Sequence, residues 1–440
     1  MSLFNRSDDD GFSRGTPAVI AYPDLPGRAA GDSALRLEEA EGLALAIGVD
    51  VRKSVAFRVR APKAATLFGS GQLEEIAELI EQLGAELLIV DGGLTAIQQR
   101  NLEDKVGVKV IDRTGLILEI FGERAATAEG RLQVELAHLD YQAGRLVRSW
   151  THLERQRGGF GFLGGPGETQ IEADRRMIRD RMARLRRELD QVQRTRGLHR
   201  SRRKKAPWPT IALVGYTNAG KSTLFNRLTR ATVLAEDMLF ATLDPTIREV
   251  SLPGIAKAIL SDTVGFVSDL PTQLVAAFRA TLEEVVTADV IVHVRDIAHP
   301  ASDIQKRDVL AVLAEIGIGA DGKHPVPIVE VWNKIDLLDP EQREELDQQL
   351  TRNEHCLAIS ALSGEGIDQF LSHLASLLDK DSETRRFILA SSNGAALAWL
   401  HDQGDVQDRV QDDGFTACEA RLNSAQWGKF EKRFGIPAYY

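Results

Sequence analysis

Cysteine is nearly missing from this 440-residue chain: Cys356 and Cys418 are the two it has, far apart and without metal-ligand spacing. A disulfide framework or a zinc site is therefore not expected, and the usage fits a reducing cytoplasm. Long apolar runs are missing too. No window approaches the roughly 18 consecutive apolar residues of a membrane-spanning helix, so no membrane association is expected. The first residues, MSLFNRSDDDGF, contain no basic stretch leading into an apolar one, so no secretory signal is expected. What the chain does have is 43% hydrophobic and 27% charged residues, the balance of a soluble protein with real cores. Its length predicts two to four domains at about 100–200 residues each.

The net charge of −10 is unevenly distributed. Residues 145–205 hold 18 Lys/Arg against 7 Asp/Glu, a local +11, which leaves −21 for the remainder. Such a segment is either a solvated helix surface or an arm that meets a polyanion, most naturally nucleic acid.

Residues 1–16 are polar and rich in Gly, Asp and Ser, which predicts a disordered start. Over 17–118, strand-like runs at 18–21, 51–59, 86–90 and 108–111 alternate with helical patterns at 33–47, 72–83 and 96–105. That alternation predicts a small α/β domain with a largely parallel sheet. Gly69-Ser70-Gly71, between a strand and a helix, is a weak anion-site pattern or a plain turn.

Residues 119–205 carry a helical signal of a different kind. Leu132, Leu136, Leu139, Ala143, Leu146, Trp150 and Leu153 alternate spacings of four and three. Ile171, Arg175, Ile178, Met182, Leu185, Leu189 and Val192 repeat the alternation, broken only by Arg175. Two such stripes predict a helical coiled-coil hairpin. The intervening tip, 157–168, is half glycine and is expected to lack regular structure. Arg155 and Arg157 stand there beside Phe160, Phe162 and Leu163. Cations with aromatics on a glycine loop suit RNA, through phosphate contacts and base stacking; the alternative is a loop folded back onto another domain. Residues 194–205, RTRGLHRSRRKK, read as a basic linker: a hinge, a second polyanion contact, or both.

A nucleotide site is written into 206–380. The apolar run 211–214 precedes Gly215-Tyr216-Thr217-Asn218-Ala219-Gly220-Lys221-Ser222, and a helical stretch follows. This is GxxxxGK[ST] between strand and helix, the context that the phosphate-binding loop requires. Its backbone N–H groups would wrap the phosphates, Lys221 would neutralise β- and γ-oxygens, and Ser222 would bind Mg²⁺. Phe240-Ala241-Thr242-Leu243-Asp244 lies where a first switch belongs. A threonine there would complete the Mg²⁺ shell; Thr242 and Thr246 both qualify, with Thr242 favoured. Asp262-Thr263-Val264-Gly265 is a DxxG box, Asp262 reaching Mg²⁺ and the Gly265 N–H the γ-phosphate. Asn333-Lys334-Ile335-Asp336 is an NKxD box, whose Asp336 carboxylate accepts from the two N–H groups of guanine. Ser360-Ala361-Leu362 would supply a backbone N–H to guanine O6. Five boxes in order imply GTP or GDP as ligand with Mg²⁺, and Lys221, Thr242 and Gly265 as the groups acting on the γ-phosphate.

After DxxG, where a water-orienting Gln often stands, this chain has Phe266. Phenylalanine cannot position a nucleophile, so slow intrinsic hydrolysis and stimulation by a partner are expected. Simple packing of Phe266 predicts the same rate. His293 and His299 are read as structural.

Taken together, these pieces resemble the HflX family of translation-associated GTPases over about residues 18–380. The distinctive ones are Asp112-Arg113-Thr114, the run 116–121 (LILEIF), 132–137 (LQVELA), Gly164-Gly165-Pro166-Gly167-Glu168 and the phosphate loop. The resemblance implies that Phe266 shares the family's lack of a catalytic Gln. It also implies binding to the large ribosomal subunit and its rRNA, with a link to rescuing or splitting stalled ribosomes, or to their biogenesis. The tail, 383–440, looks less like the family core; runs at 385–390, 395–402, 414–422 and 425–434 suggest a small α/β domain. The expected architecture is multidomain α/β: an N-terminal α/β domain with a hairpin, a GTPase domain with a doubly wound, mostly parallel sheet, and a small C-terminal α/β domain. A cytoplasmic monomer that binds no DNA is expected. The rivals are a GTP-dependent signalling or scaffold protein whose hairpin binds protein, and a general nucleotidase with a second nucleotide site in its N-terminal domain.

Overall fold

The computed structural model describes residues 14–26, 32–156, 166–203, 208–230, 239–240, 246–268, 284–318, 326–353, 356–378, 382–390, 393–403, 405–411 and 415–435. They fall into two compact units, one drawn from 1–199, 236–244 and 264–280, the other from 200–235, 245–263 and 281–440.

The first unit opens with strands alternating with helices: β1 (Pro17–Asp24), α1 (Asp32–Ala46), β2 (Asp50–Arg58), α2 (Ser70–Leu83), β3 (Leu87–Val90), α3 (Ala96–Val106), β4 (Lys109–Asp112) and α4 (Arg113–Arg124). The sheet order is β2-β1-β3-β4, parallel throughout. Ala18 to Tyr22 on β1 and Leu87 to Val90 on β3 are fully buried, because helices cover both faces of a parallel sheet. Val19, Ala21, Leu88 and Val90 share one core with Ile76 and Ile80 of α2 and Leu102 of α3. Helices α1 and α4 pack together and against the sheet strands. The Gly69-Ser70-Gly71 turn starts α2, with the Gly69 N–H donating to Gln72 Oε1 at 3.0 Å. Thr95 caps α3 in a reciprocal pair with Gln98.

The expected 118/119 boundary lies inside α4. Arg113, Gly115, Leu116, Ile117, Leu118, Ile120 and Phe121 are all buried in it, so the apolar run is the interior of a helix and not a motif alone. Helix α5 (Ala128–Gln156) and helix α6 (Pro166–Arg203) follow. Glu135 on α5 and Arg181 on α6 form an ion pair at 2.6 Å, well back from the connecting tip on both helices, as an antiparallel hairpin requires. Of the expected stripes, Leu132, Leu136, Leu139 and Ala143 are half-buried, and Met182 and Leu185 are buried. The more deeply buried residues of α5 are others, Gln133, Val134 and Ala137, and the helix contacts α3 and α4.

Two expectations need correction here. Pro166, Gly167 and Glu168 belong to α6, not to an irregular tip: proline suits a first helical position and Glu168 the positive helix start. Residues 194–203, read as a basic linker, are helical and continue α6. Once a helix is running, each further Arg or Leu costs little, and Gly197 alone costs only about 1 kcal/mol. The tip residues 157–165, with Arg157, Phe160, Phe162 and Leu163, lie outside the described residues.

In the second unit, β5 (Thr210–Gly215) leads into α7 (Lys221–Thr229). Then come β6 (Thr246–Leu252), β7 (Ile255–Asp262), β8 (Val290–Asp296), α8 (Ser302–Glu315), β9 (Ile328–Asn333), α9 (Pro340–Arg352), β10 (Cys356–Ala358) and α10 (Ile367–Leu378). The order β10-β9-β8-β5-β7-β6 is parallel except for β6, which runs against β7. Ile211, Leu213, Val292, Val331, Phe225 and Phe370 form its core. The remainder is β11 (Ser382–Ala390), α11 (Gly394–Gln403), β12 (Asp405–Gln411), β13 (Phe415–Asn423) and α12 (Ser424–Phe434). Its antiparallel sheet, ordered β11-β13-β12, buries Leu389, Cys418, Ala420 and Leu422 against Leu400, Trp427 and Phe430. Among the described residues no helix is long and apolar enough to cross a membrane.

Candidate nucleotide site

The boxes sit at the carboxyl ends of the parallel strands, where open α/β sheets place their ligands. Strand β5 ends at Gly215 between β7 and β8. Gly215 has φ +151°, and a Cβ there would stand 2.2 Å from the Val294 carbonyl oxygen. Gly220 has φ +88°, and its Cβ would stand 2.2 Å from Asn333 Nδ2. The two glycines of the pattern are thus required by a neighbouring strand and by the NKxD asparagine. Asn218 adopts φ 59°, a left-handed conformation that Asn tolerates better than most residues. Tyr216, Thr217 and Ala219 are buried in the turn.

Lys221 opens α7, and its Nζ donates to the Gly215 and Tyr216 carbonyls at 3.0 and 2.6 Å. Burial pushes its ammonium down to about 8, with Asp262 acting in the opposite sense. The Ser222 hydroxyl donates to Asp262 Oδ2 at 2.8 Å. A hydroxyl and a carboxylate converging where α7 begins and β7 ends is the oxygen donor set that a hard divalent cation takes, so these two residues fit Mg²⁺. Thr263 Oγ1 donates to the Leu213 carbonyl at 2.6 Å and ties β7 to β5. Val264 is buried and Gly265 half-buried; Phe266 and Val267 are buried, at 5% and 3% exposure.

The base boxes join the phosphate loop through one side chain. Asn333 Nδ2 donates to the Ala219 carbonyl at 2.8 Å, and Asn333 Oδ1 accepts from the Ala361 N–H at 2.9 Å. Lys334, at φ 67°, pairs with Asp296 at 2.9 Å. Ile335 is buried and Asp336 is exposed. Ser360 is fully buried, and Leu362 is exposed at 73%.

Of the expected first-switch residues, Phe240 alone is described. Ala241, Thr242, Leu243 and Asp244 lie outside the described residues. Phe240, read as a nucleotide neighbour, is buried within the first unit, edge-on to Phe121 of α4 at 4.7 Å between ring centres. An aromatic ring next to that apolar face gains more by burial than by exposure. Thr246, the other threonine considered, begins β6 opposite Asp262. His293 is buried and its pKa lowered to about 4, chiefly by burial, which keeps it neutral. His299 Nδ1 accepts from the Ala301 N–H.

Asp296 and Arg227, beside these boxes, gave no motif signal. Asp296 holds the NKxD lysine, and Arg227 reaches the Ala361 and Leu362 carbonyls from α7. In the first unit, Arg113 is buried between Glu39 (2.7 Å) and Asp91 (2.6 Å) and donates to the Ser268 carbonyl at 3.0 Å, while Glu39 Oε1 accepts from the Ser268 N–H. The segment just after DxxG is therefore bonded to α1 and α4.

Four family models cover the chain in series. They are described as GTP-binding GTPase N-terminal (34–122), GTP-binding GTPase Middle Region (124–203), 50S ribosome-binding GTPase (210–334) and HflX C-terminal domain (345–438). The GTPase HflX of Magnetococcus marinus is 49% identical over 90% of both chains. This chain belongs to the HflX family of GTPases. The Escherichia coli GTPase HflX is 42% identical over 90% of this chain and 92% of its own. A Sulfolobus solfataricus GTP-binding protein solved with GDP is 23% identical, covering 82% of this chain and 98% of its own, with TM-score 0.43. HflX membership makes the chain a GTP hydrolase, releasing GDP and phosphate. It also corrects the reading of the tail: residues 345–438 match the HflX C-terminal model, so the resemblance does not stop near 380. Short, unpatterned strands such as β12 left that continuity hard to read.

Proposed function

We propose that the chain binds Mg²⁺–GTP at these boxes and couples GTP binding and hydrolysis to work on the large ribosomal subunit: rescue, splitting or biogenesis. The observation that carries the nucleotide half is the Asn333 amide, bonded at once to the phosphate loop and to the 360–362 loop. Phosphate-reading and base-reading parts so joined form one site. Gly215 to Gly220 cradle the phosphates with backbone N–H groups, and Lys221 exchanges its carbonyl partners for β- and γ-oxygens. Ser222 and Asp262, with Thr242, hold Mg²⁺, which when bound neutralises charge on those oxygens. The Gly265 N–H reads the γ-phosphate, Asp336 takes the guanine N–H edge, and the 360–362 backbone takes O6.

Phe266, buried and without a hydrogen-bonding group, leaves the attacking water unpositioned, so basal turnover is slow and a partner raises it. The ribosomal half rests on the family description of residues 210–334 and on charge. Arg176, Arg179, Arg184, Arg186 and Arg187 are exposed along α6, a basic face suited to rRNA. The protein acts as a cytoplasmic monomer. Lys221→Ala tests the site: nucleotide binding and hydrolysis should both be lost, and normal GTP turnover by that variant would overturn the assignment. Asp336→Ala should lose the preference for GTP over ATP.

A further inference from the structure

The loop that follows β10 is held from an unexpected side. Arg227 stands on α7, the helix whose first residue is Lys221. Its Nε donates to the Ala361 carbonyl at 2.6 Å, and its Nη2 donates to the Leu362 carbonyl. Gly364, at φ +97°, lies against the guanidinium; a Cβ there would sit 2.5 Å from Nη1. The loop is otherwise closed on itself by Gly364 N–H to Ser360 O at 2.8 Å and Ser360 N–H to Glu365 O at 3.0 Å. Neither of those bonds touches the Ala361 or Leu362 carbonyl.

Peptide geometry gives the arrangement its consequence. In a planar trans peptide the C=O and the following N–H point in opposite directions. Fixing the Ala361 carbonyl on Arg227 therefore aims the Leu362 N–H away from the guanidinium. The Ala361 N–H, one peptide earlier, is fixed by Asn333. Two consecutive planes of the loop that reads guanine O6 are thus set by side chains from two other elements. The rigid fork of an Arg can span two adjacent carbonyls; a lysine ammonium lacks that fixed geometry.

We propose that Arg227 is a positioning residue for base selection, holding the 361–362 peptides so that the loop's N–H meets guanine O6. Because Arg227 shares α7 with Lys221 and Ser222, it also links O6 recognition to the helix that carries the phosphate-binding side chains. The inference rests on the nucleotide site proposed above.

The test measures equilibrium affinities of the full-length protein for GDP, 6-thio-GDP, IDP and ADP. The sulfur of 6-thio-GDP is a weaker acceptor at the same position, whereas IDP keeps O6 and lacks the amino group that Asp336 reads. Wild type should prefer GDP over all three. In Arg227→Ala, GDP affinity should fall about five- to tenfold, the worth of one hydrogen bond, and the GDP to 6-thio-GDP ratio should shrink towards one. The GDP to IDP ratio should stay at its wild-type value. Arg227→Lys should restore little of the lost discrimination. Gly364→Ala, which displaces the guanidinium, should reproduce the alanine phenotype. Equal losses for GDP, 6-thio-GDP and IDP, or no loss, would overturn the inference, because a merely structural arginine has no reason to act through O6. If Arg227→Ala does not fold, the lysine variant carries the same comparison. A wild type that fails to prefer GDP over ADP would sink the site reading itself, a distinct outcome.

Discussion

Lys221 carries its charge under strain: burial lowers its pKa from the usual 10.5 to about 8, although Asp262 stands nearby. Between those values the unfolded chain binds a proton that the folded one does not, so this residue makes stability rise with pH across that window. Nucleotide binding has the opposite sign, since phosphate favours the ammonium. Calorimetry in buffers of different ionisation heat should show proton uptake on GDP binding at about pH 9 that fades by about pH 7. Uptake that is absent at both, or unchanged in Lys221→Ala, would contradict the assignment. His293 acts at the acid end. Its pKa is lowered to about 4 from 6.5, so stability falls as pH drops through that interval, and thermal melts should show it. Arg113 makes a different prediction. Arg113→Ala leaves Glu39 and Asp91 buried without their cation and should cost about 3–5 kcal/mol in denaturant unfolding. The phosphate loop and the DxxG and NKxD boxes were legible because phosphates and guanine demand particular groups at particular spacings. Arg227 was not, and Arg113 stood out in the family motif but not as the buried partner of Glu39 and Asp91. The partners of Arg113 are remote in sequence, and those of Arg227 are carbonyls that every residue possesses. Phe240 was assigned to the nucleotide by position alone, and its burial on Phe121 shows what that signal omits.

Helix periodicity located α5 and α6 but not their full extent. The stripe residues of α5 are half-buried, whereas Val134 and Ala137, outside the stripe, are buried on a helix that contacts α3 and α4, a packing that no heptad announces. Helix α4 hid inside a motif, because LILEIF is apolar enough to read as strand or helix. The exposed arginines of α6 yield a prediction at this scale. Replacing Arg179, Arg184, Arg186 and Arg187 by Gln should weaken binding to large subunits. It should also flatten the salt dependence by about 0.7 in log–log slope for each phosphate no longer neutralised. An unchanged slope would return those residues to the role of solvated surface. In the C-terminal segment, Trp427 is buried beneath β11 and donates to the Glu383 carbonyl at 3.0 Å. Trp427→Ala should cost about 3–5 kcal/mol in that segment's unfolding transition while leaving GDP affinity intact.

For the whole molecule, the order of parts was legible: alternating strands and helices, then heptads, then nucleotide boxes, then a short tail. The family's extension through that tail was not, since residues 383–435 carry no box and β11 pairs antiparallel with β13 across the intervening α11 and β12. The central proposal joins a slow GTPase to a basic hairpin, so it is a claim about how one end of the chain answers the other. GTP hydrolysis by the purified protein, with and without large ribosomal subunits at low and high salt, measures that directly. A slow basal rate, raised strongly by the subunits and less so at high salt, is the predicted result. A rate indifferent to subunits would leave the GTPase standing, contradict the ribosomal coupling, and point to a protein partner for the hairpin.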